Sequence, residues 1–213
     1  MKIPATGVAP EGKPFIYLAA FASLVFALLS LTELAVICLA LCAFCVYFFR
    51  DPERVVPDAP DSAVSPADGR ILHIRSARDP LDGRPCTCIS IFMNLFNVHV
   101  NRAPIASQVI QLKYYEGKFF NASLDKASEH NERCAWKLLD SDGETWVMVQ
   151  IAGLVARRIV VRAEVGDSVM RGERVGLIRF GSRVDLYLPA SYHAEGREGD
   201  RVLAGQTVIA RRK

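Results

Sequence analysis

The chain has 213 residues, 51% of them hydrophobic, and 26 Lys and Arg stand against 23 Asp and Glu for a formal net charge of +3. That length suits one compact domain with an appendage and excludes two large domains with separate cores. So small and dispersed a basic excess excludes nucleic acid as the expected partner, while an anionic membrane surface stays open because a few basic residues beside a lipid anchor need no large net charge.

The first element is an apolar run from Phe15 to Phe49 whose single charge is Glu33. As one straight helix it would measure about 52 Å against a hydrocarbon core of about 30 Å and would hold Glu33 inside the bilayer. A bend near Glu33 is the more economical solution. A short transmembrane pair and a hairpin embedded from one side both meet the lengths, and both return the chain to its starting face. Lys2 and Lys13 before the run, with Arg50 and Arg54 after it, put both ends on the cytoplasmic face of the cell membrane. The run far exceeds a signal-peptide core, and no small-x-small cleavage site ends it. Cys38, Cys42 and Cys45 lie inside it, and the Cys42-x-x-Cys45 spacing has no nearby His or second pair to complete a metal or redox site. The six cysteines form no disulfide framework, which suits a reducing compartment, and no metal is expected.

Residues 1–54 thus read as an N-terminal membrane anchor and 55–213 as a separate body. After the Pro- and Asp-rich connector "RDPERVVPDAPDSAVSPADG", the runs "RILHIRSA", "CTCISIFM", "VHVNRA", "SQVIQLKYY", "WKLLDS", "TWVMVQIA", "RRIVVRA" and "RVGLIRF" predict short strands separated by Gly, Asp, Asn and Pro. The fold class is mainly β, a sandwich or barrel-like domain. "NASLDKASEHNER" is the exception, a polar stretch for a helical turn or a long functional loop. "EVGDSVMRGERVGLI" and "REGDRVLAGQTVIA" echo each other with Gly166 and Gly199 in register, each predicting strand, Gly-Asp turn and strand. Such paired hairpin units are similar to the barrel-sandwich hybrid domains that carry biotin or lipoate, although the lysine those carriers modify is absent from both turns.

Within "RFGSRVDLYLP", Gly181 and Ser182 interrupt a strand-like run. A β-bulge or strand corner accounts for the pair with no chemistry. A serine hydrolase would need a G-x-S-x-G elbow, which this stretch lacks. A third reading makes Ser182 a nucleophile toward the Gly181 carbonyl of its own backbone, giving an ester whose elimination leaves a pyruvoyl group on a fragment that starts at residue 182. That step needs a base. Of the four histidines, His73 alternates along a strand and His130 and His193 lie in polar turns, whereas His99 in "MNLFNVHVNRAP" combines apolar neighbours with Asn97, Asn101 and Arg102. A structural core histidine remains open for it.

These segments together resemble the phosphatidylserine decarboxylases of the short, membrane-associated bacterial and archaeal kind. The similarity runs through the apolar anchor, "FFRDPER", "SPADG", "FMNLFNVHVNRAP", "GKFFNASLDKASEHNER", "QIAGLVARRIV", "GDSVMRGERVGLIRFGSRVDLYLP" and "GDRVLAGQTVIA". The resemblance implies a pyruvoyl-dependent lyase made as a proenzyme that cuts itself between Gly181 and Ser182. A large subunit, 1–181, and a small one, 182–213, would then assemble as a homo-oligomer of heterodimers. It implies Ser182 as the pyruvoyl precursor, Asp68 of "SPADG" as the carboxylate supporting cleavage and His99 as the motif histidine. The pyruvoyl carbonyl would form a Schiff base with phosphatidylserine in the membrane, lose carbon dioxide and give phosphatidylethanolamine. Where longer members carry a second His three residues on, this chain has Arg102. Arg102, Lys126, Arg157 and Arg158 are candidates for the lipid phosphate or the substrate carboxylate, since guanidinium and ammonium groups match both. A membrane-tethered binding module without chemistry and a membrane-associated hydrolase using Ser182 and His99 are the alternatives, and both require an unbroken chain.

Overall fold

The computed structural model describes residues 7–120, 130–154, 158–179 and 182–213, and the chain divides into two units, 1–53 and 54–213. In the first unit the apolar run folds back on itself. Helix α1 (Lys13–Leu28) and helix α2 (Thr32–Phe48) lie antiparallel, with the Ser23 hydroxyl donating to the Ala35 carbonyl at 2.9 Å and the Cys42 thiol to that of Ile16 at 3.6 Å. The reversal falls just before Glu33, at residues 29–31, where Ser30 takes φ 60° and the Leu31 amide donates back to Phe26 O at 2.9 Å. A left-handed residue after the last turn is a common way to end a helix. Glu33 consequently stands in the first turn of α2, where a carboxylate complements the helix dipole. Strands β1 (Gly7–Val8) and β2 (Arg50–Asp51) pair antiparallel and bring the two ends of the hairpin together.

The helical stretch Pro10–Leu28 is long and apolar enough to cross a membrane, and α2 is a shorter apolar helix. Leu18, Phe21, Leu28 and Leu39 are each 60% or more exposed, a surface that water penalises and acyl chains do not.

The second unit is built of β3 (Ser62–Val64), β4 (Gly69–Arg78), β5 (Pro85–Met93), β6 (Val100–Arg102), β7 (Ser107–Tyr115), β8 (Arg133–Leu139), β9 (Thr145–Ala152), β10 (Ile159–Val161), β11 (Ser168–Val169), β12 (Arg174–Ile178), β13 (Ser182–Leu188), β14 (Tyr192–Ala194), β15 (Arg201–Val202) and β16 (Val208–Arg212). Each apolar run named above contributes a strand among the described residues. The polar stretch at 121–129 lies outside the described residues. An eight-stranded antiparallel sheet runs in the order β11-β7-β8-β9-β13-β5-β4-β15, and two three-stranded sheets, β10-β12-β6 and β14-β16-β3, complete the domain. The main core joins Ile91, Trp136, Met148 and Leu186 of the large sheet to Ala63, Val175, Ile178 and Ile209 of the small ones. Period-two alternation sends Val184, Leu186 and Leu188 of β13 into that core and turns Arg183, Asp185 and Tyr187 to the other face.

The sequence echo becomes a pair of matching units, but neither is the expected hairpin: β11 and β12 lie in different sheets, as do β15 and β16, and each Gly-Asp pair precedes the first strand rather than joining the two. β11 leads through a turn to β12, as β15 does to β16, with Gly166 and Gly199 at φ 101° and 90° and Gly172 and Gly205 at φ 79° and 74°. Their amides find equivalent partners: Gly166 N donates to Val109 O and Gly199 N to Ile71 O, while Gly172 N donates to Ala103 O and Gly205 N to Ser65 O, all at 2.8 Å. Even the register irregularities coincide, between Ile71 and His73 on β4 and between Val109 and Gln111 on β7.

Candidate active site

Ser182 stands where the chain changes sheets. β12 ends at Ile178 in a three-stranded sheet, and Ser182 opens β13 in the middle of the eight-stranded one, in register with Met93 of β5 and Ala152 of β9. The bland reading of the pair, a corner with its serine at solvent, does not hold at Ser182. Ser182 is fully buried, and its Oγ has no hydrogen-bond partner among the described residues. An unpartnered buried hydroxyl costs about 1–3 kcal/mol, so folds seldom retain one without a use. Gly181 lies outside the described residues. Ala152 beside Ser182 is pinned on both sides: its amide donates to Glu132 O at 2.9 Å, and Asn131 Nδ2 donates to its carbonyl at 2.7 Å. Asn131 also exchanges two bonds with the Phe120 backbone, of 2.9 and 2.7 Å.

His99 immediately precedes β6 and is 1% exposed. Its backbone carbonyl accepts from the Ile178 amide at 3.3 Å, so it lies across from the last residue of β12, four residues before Ser182 in the chain. Nδ1 lies 2.9 Å from the Asn97 carbonyl, which can only accept. In the neutral ring the proton is then on Nδ1 and the lone pair on Nε2. Two residues on, Asn101 accepts from Gln150 Nε2 at 2.9 Å, Gln150 Oε1 accepts from Trp136 Nε1 at 2.8 Å, and Asn101 Nδ2 approaches the sulfur of Met93, the register partner of Ser182, at 3.8 Å. Nothing in the sequence joins Asn101 to Gln150, because their contact is made across two sheets.

Asp68 is 4% exposed and doubly held. Oδ1 accepts the Ala204 amide at 2.7 Å, and Oδ2 pairs with Arg54 Nη2 at 2.9 Å, whose Nη1 donates to Gln206 Oε1 at 2.7 Å. Arg54, which the sequence offers only as a flank of the anchor, is thus the ion-pair partner of Asp68. Gly69 follows and sits so tightly against β5 that an added Cβ would lie 2.1 Å from Phe92 O. Asp68 is thereby fixed beside the strand whose last residue faces Ser182. Pro66 O accepts the Arg102 amide at 2.9 Å and ties this turn to β6.

The basic candidates separate. Arg102 is 5% exposed and donates through Nη1 to the Gly172 carbonyl at 2.9 Å, whereas Arg158 is exposed, with its carbonyl accepting from the Arg179 amide at 3.2 Å. Lys126 and Arg157 lie outside the described residues. On the opposite face of β13, Arg183 forks onto Asp185 at 2.6 and 2.9 Å and reaches Ser90 Oγ at 2.8 Å. Burial works against that charge, and the Asp185 carboxylate outweighs it, so the pair clamps the strand just past Ser182. Burial pushes the thiol of Cys134 up to about 12 and that of Cys88 higher still, so neither is a thiolate nucleophile at neutral pH. No group of three His, Cys, Asp or Glu side chains among the described residues could hold a metal ion.

Comparison with known proteins gives one consistent outcome. The sequence profile of a family described as phosphatidylserine decarboxylase matches residues 41–210. The phosphatidylserine decarboxylase proenzyme of Oleidesulfovibrio alaskensis is 58% identical over 206 residues, covering 97% of this chain and 94% of its own. That of Nitratidesulfovibrio vulgaris is 53% identical over 212 residues, with 100% and 98% covered. That of Burkholderia lata is 44% identical over 210 residues, with 99% and 98% covered.

Proposed function

The chain belongs to the phosphatidylserine decarboxylase family, and on that premise we propose that it is a proenzyme that splits its own backbone between Gly181 and Ser182 and then decarboxylates phosphatidylserine to phosphatidylethanolamine. The observation that carries the reading is the buried Ser182 hydroxyl, which has no hydrogen-bond partner among the described residues, at the residue where β13 begins.

His99 takes the Ser182 hydroxyl proton at Nε2, the nitrogen that its bond to Asn97 leaves basic. Oγ then attacks the Gly181 carbonyl carbon, the peptide C–N bond breaks and the acyl group passes to oxygen as an ester, with the amine protonated. Loss of the α-proton of residue 182 expels the Gly181 carboxylate, and water replaces the nitrogen of the resulting dehydroalanine, releasing ammonia. Asp68, anchored by Ala204 and Arg54, is the carboxylate that supports this cleavage. The residues fit a pyruvoyl group at 182, because the atom displaced in making it has no hydrogen bond to lose among the described residues. Once formed, that group supplies a ketone that accepts the electron pair left as carbon dioxide departs.

Arg102, Lys126, Arg157 and Arg158 hold the headgroup phosphate and carboxylate, Arg158 from the exposed side. Residues 1–54 anchor the enzyme with both ends on the cytoplasmic face, and 55–213 form the catalytic body. The subunits 1–181 and 182–213 stay associated because β13 is hydrogen-bonded on both edges, and the heterodimers assemble further.

Intact-mass measurement of the purified protein tests this directly. Two pieces ending at 181 and starting at 182 are expected, the smaller one closed to Edman degradation and reactive with hydroxylamine, and Ser182→Ala should stay whole. A single unbroken chain that decarboxylates the lipid would refute it.

A further inference from the structure

The two ends of the eight-stranded sheet differ in what their turns present. At the end away from Ser182 the hairpin tips are polar, Asp82-Gly83 between β4 and β5 and Ser141-Asp142-Gly143 between β8 and β9. At the Ser182 end they are apolar. Directly after Met93 the chain turns through Asn94, Leu95, Phe96 and Asn97, and directly after Ala152 it passes through Gly153 to Leu154. Leu95 is 37%, Phe96 64% and Leu154 66% exposed. Met93 and Ala152 are the two register partners of Ser182, so these tips flank it on either side, on strands about 10 Å apart.

The first tip is built to stay out. Asn94 Oδ1 accepts the Phe96 amide at 2.9 Å, Asn97 Oδ1 accepts the Asn94 amide at 2.9 Å, and Asn97 N donates to Asn94 O at 3.1 Å. Both asparagine side chains thus close the turn upon its own backbone and hold Leu95 and Phe96 at the apex. Among the described residues, Lys118, Arg133 and Arg158 stand at this end and outnumber Glu116 and Glu132 there. Apolar tips inside a basic surround match a membrane surface, whose acyl layer takes the first and whose anionic headgroups attract the second.

We propose that the turns carrying Leu95, Phe96 and Leu154 insert into the headgroup and upper acyl region of a lipid bilayer, as a second membrane contact made by the β unit itself. The inference rests on the reading above for its purpose: a diacyl lipid would reach Ser182 without leaving the membrane.

Lipid contact can be read without reading turnover. Trp136 and Trp146 are fully buried, so a tryptophan placed at a tip reports with little competition. The full chain carrying Phe96→Trp, Leu154→Trp or Val165→Trp is reconstituted in vesicles of phosphatidylcholine and phosphatidylglycerol, with or without bromine on the acyl chains. Val165 is 59% exposed, and the segment that holds it pairs with the start of β7, at the opposite end of the sheet. Quenching of at least about twofold is expected at 96 and 154 and none at 165. Equal quenching at all three sites, or none at 96 and 154, overturns the proposal; shielding from iodide without bromine quenching would mean that a second copy of the chain covers the tips. In a second measurement, Phe96→Asp with Leu154→Asp should lose about tenfold more activity on vesicle phosphatidylserine than on a short-chain, water-soluble analogue. Equal losses on both would count against insertion. A chain quenched at its tips yet never split refutes the decarboxylase reading alone, and one that splits and turns over lipid with unquenched tips refutes only this proposal.

Discussion

The two repeated units use one backbone for different ends. In one, the chain from Ser62 to Ile71 embraces the turn of Gly199 and Gly205; in the other, the chain from Val100 to Val109 embraces that of Gly166 and Gly172, with the same amide partners. Three residues beyond Ser65 stands Asp68, and three beyond its counterpart Ala103 stands Ala106. The second repeat has no carboxylate at that position, and its turn is closed from within by Glu173, whose Oε2 accepts the Met170 amide at 2.8 Å. A glycine shared by both units answers to geometry, and a side chain found in only one is a candidate for chemistry.

The largest expected effect comes from removing that difference. Asp68→Ala makes the first unit resemble the second, and splitting after 181, followed by intact mass over time, should slow by about a hundredfold or more. Loss of Asp68 also strands Arg54, whose side chain is only 11% exposed, at a cost of about 3–5 kcal/mol. The double variant Asp68→Ala with Arg54→Met should therefore regain melting temperature and still fail to split. A double variant that splits at the normal rate would make Asp68 structural.

The glycines sharpen the equivalence from the other side. Gly172 and Gly205 have positive φ, and an added Cβ would sit 2.3 Å from Val56 Cγ2 in one and 2.9 Å from Arg102 Cδ in the other. Substitution by Ala should cost about 2–3 kcal/mol at each. Gly166 and Gly199 meet nothing within 4 Å, so only the backbone conformation is penalised, by about 1 kcal/mol. Thermal melts in detergent that rank the two pairs in any other order would show that the units are not energetically matched.

Gln150 joins β6 of the second repeat to the large sheet through Asn101 and Trp136. Gln150→Leu keeps the volume and leaves both partners unsatisfied, and about 1–3 kcal/mol should be lost in the same melts. Unchanged stability would mean that this chain of bonds contributes nothing net.

The smallest effect lies where the units diverge at their far strands. β4 runs into a tight turn closed by Asp79, whereas β7 leads into the long segment before β8. Burial pushes the Asp79 carboxyl up, but the amides of Asp82 and Leu81 and the Arg84 side chain outweigh it and hold the pKa below the usual carboxylate value. With a depressed folded-state pKa, its stabilisation is present above the unfolded value near 4 and is lost as pH falls through the lower, folded one. Asp79→Asn should flatten the acid side of the melting profile and leave Gly166→Ala and Gly199→Ala titrating like the parent chain. An unaltered acid limb would show that this turn does not report on pH.

Much of this was legible in the sequence. An uninterrupted apolar run can only fold back or span, alternating runs between Gly, Asp and Asn can only be strands, and the spacing of Gly166 with Gly172 and of Gly199 with Gly205 exposed the repeat, because these signals are local and periodic. Ser182, His99 and Asp68 were visible as residue types in recognisable segments. What the sequence could not contain is which atoms meet. Arg54 with Asp68, Asn101 with Gln150 and His99 with the end of β12 are pairings across strands, and register is set only when the two faces of the sheets choose their cores. Burial of the Ser182 hydroxyl, with no hydrogen-bond partner among the described residues, follows from the same choice, since the change of sheet between β12 and β13 is decided by packing that no short stretch of the chain contains.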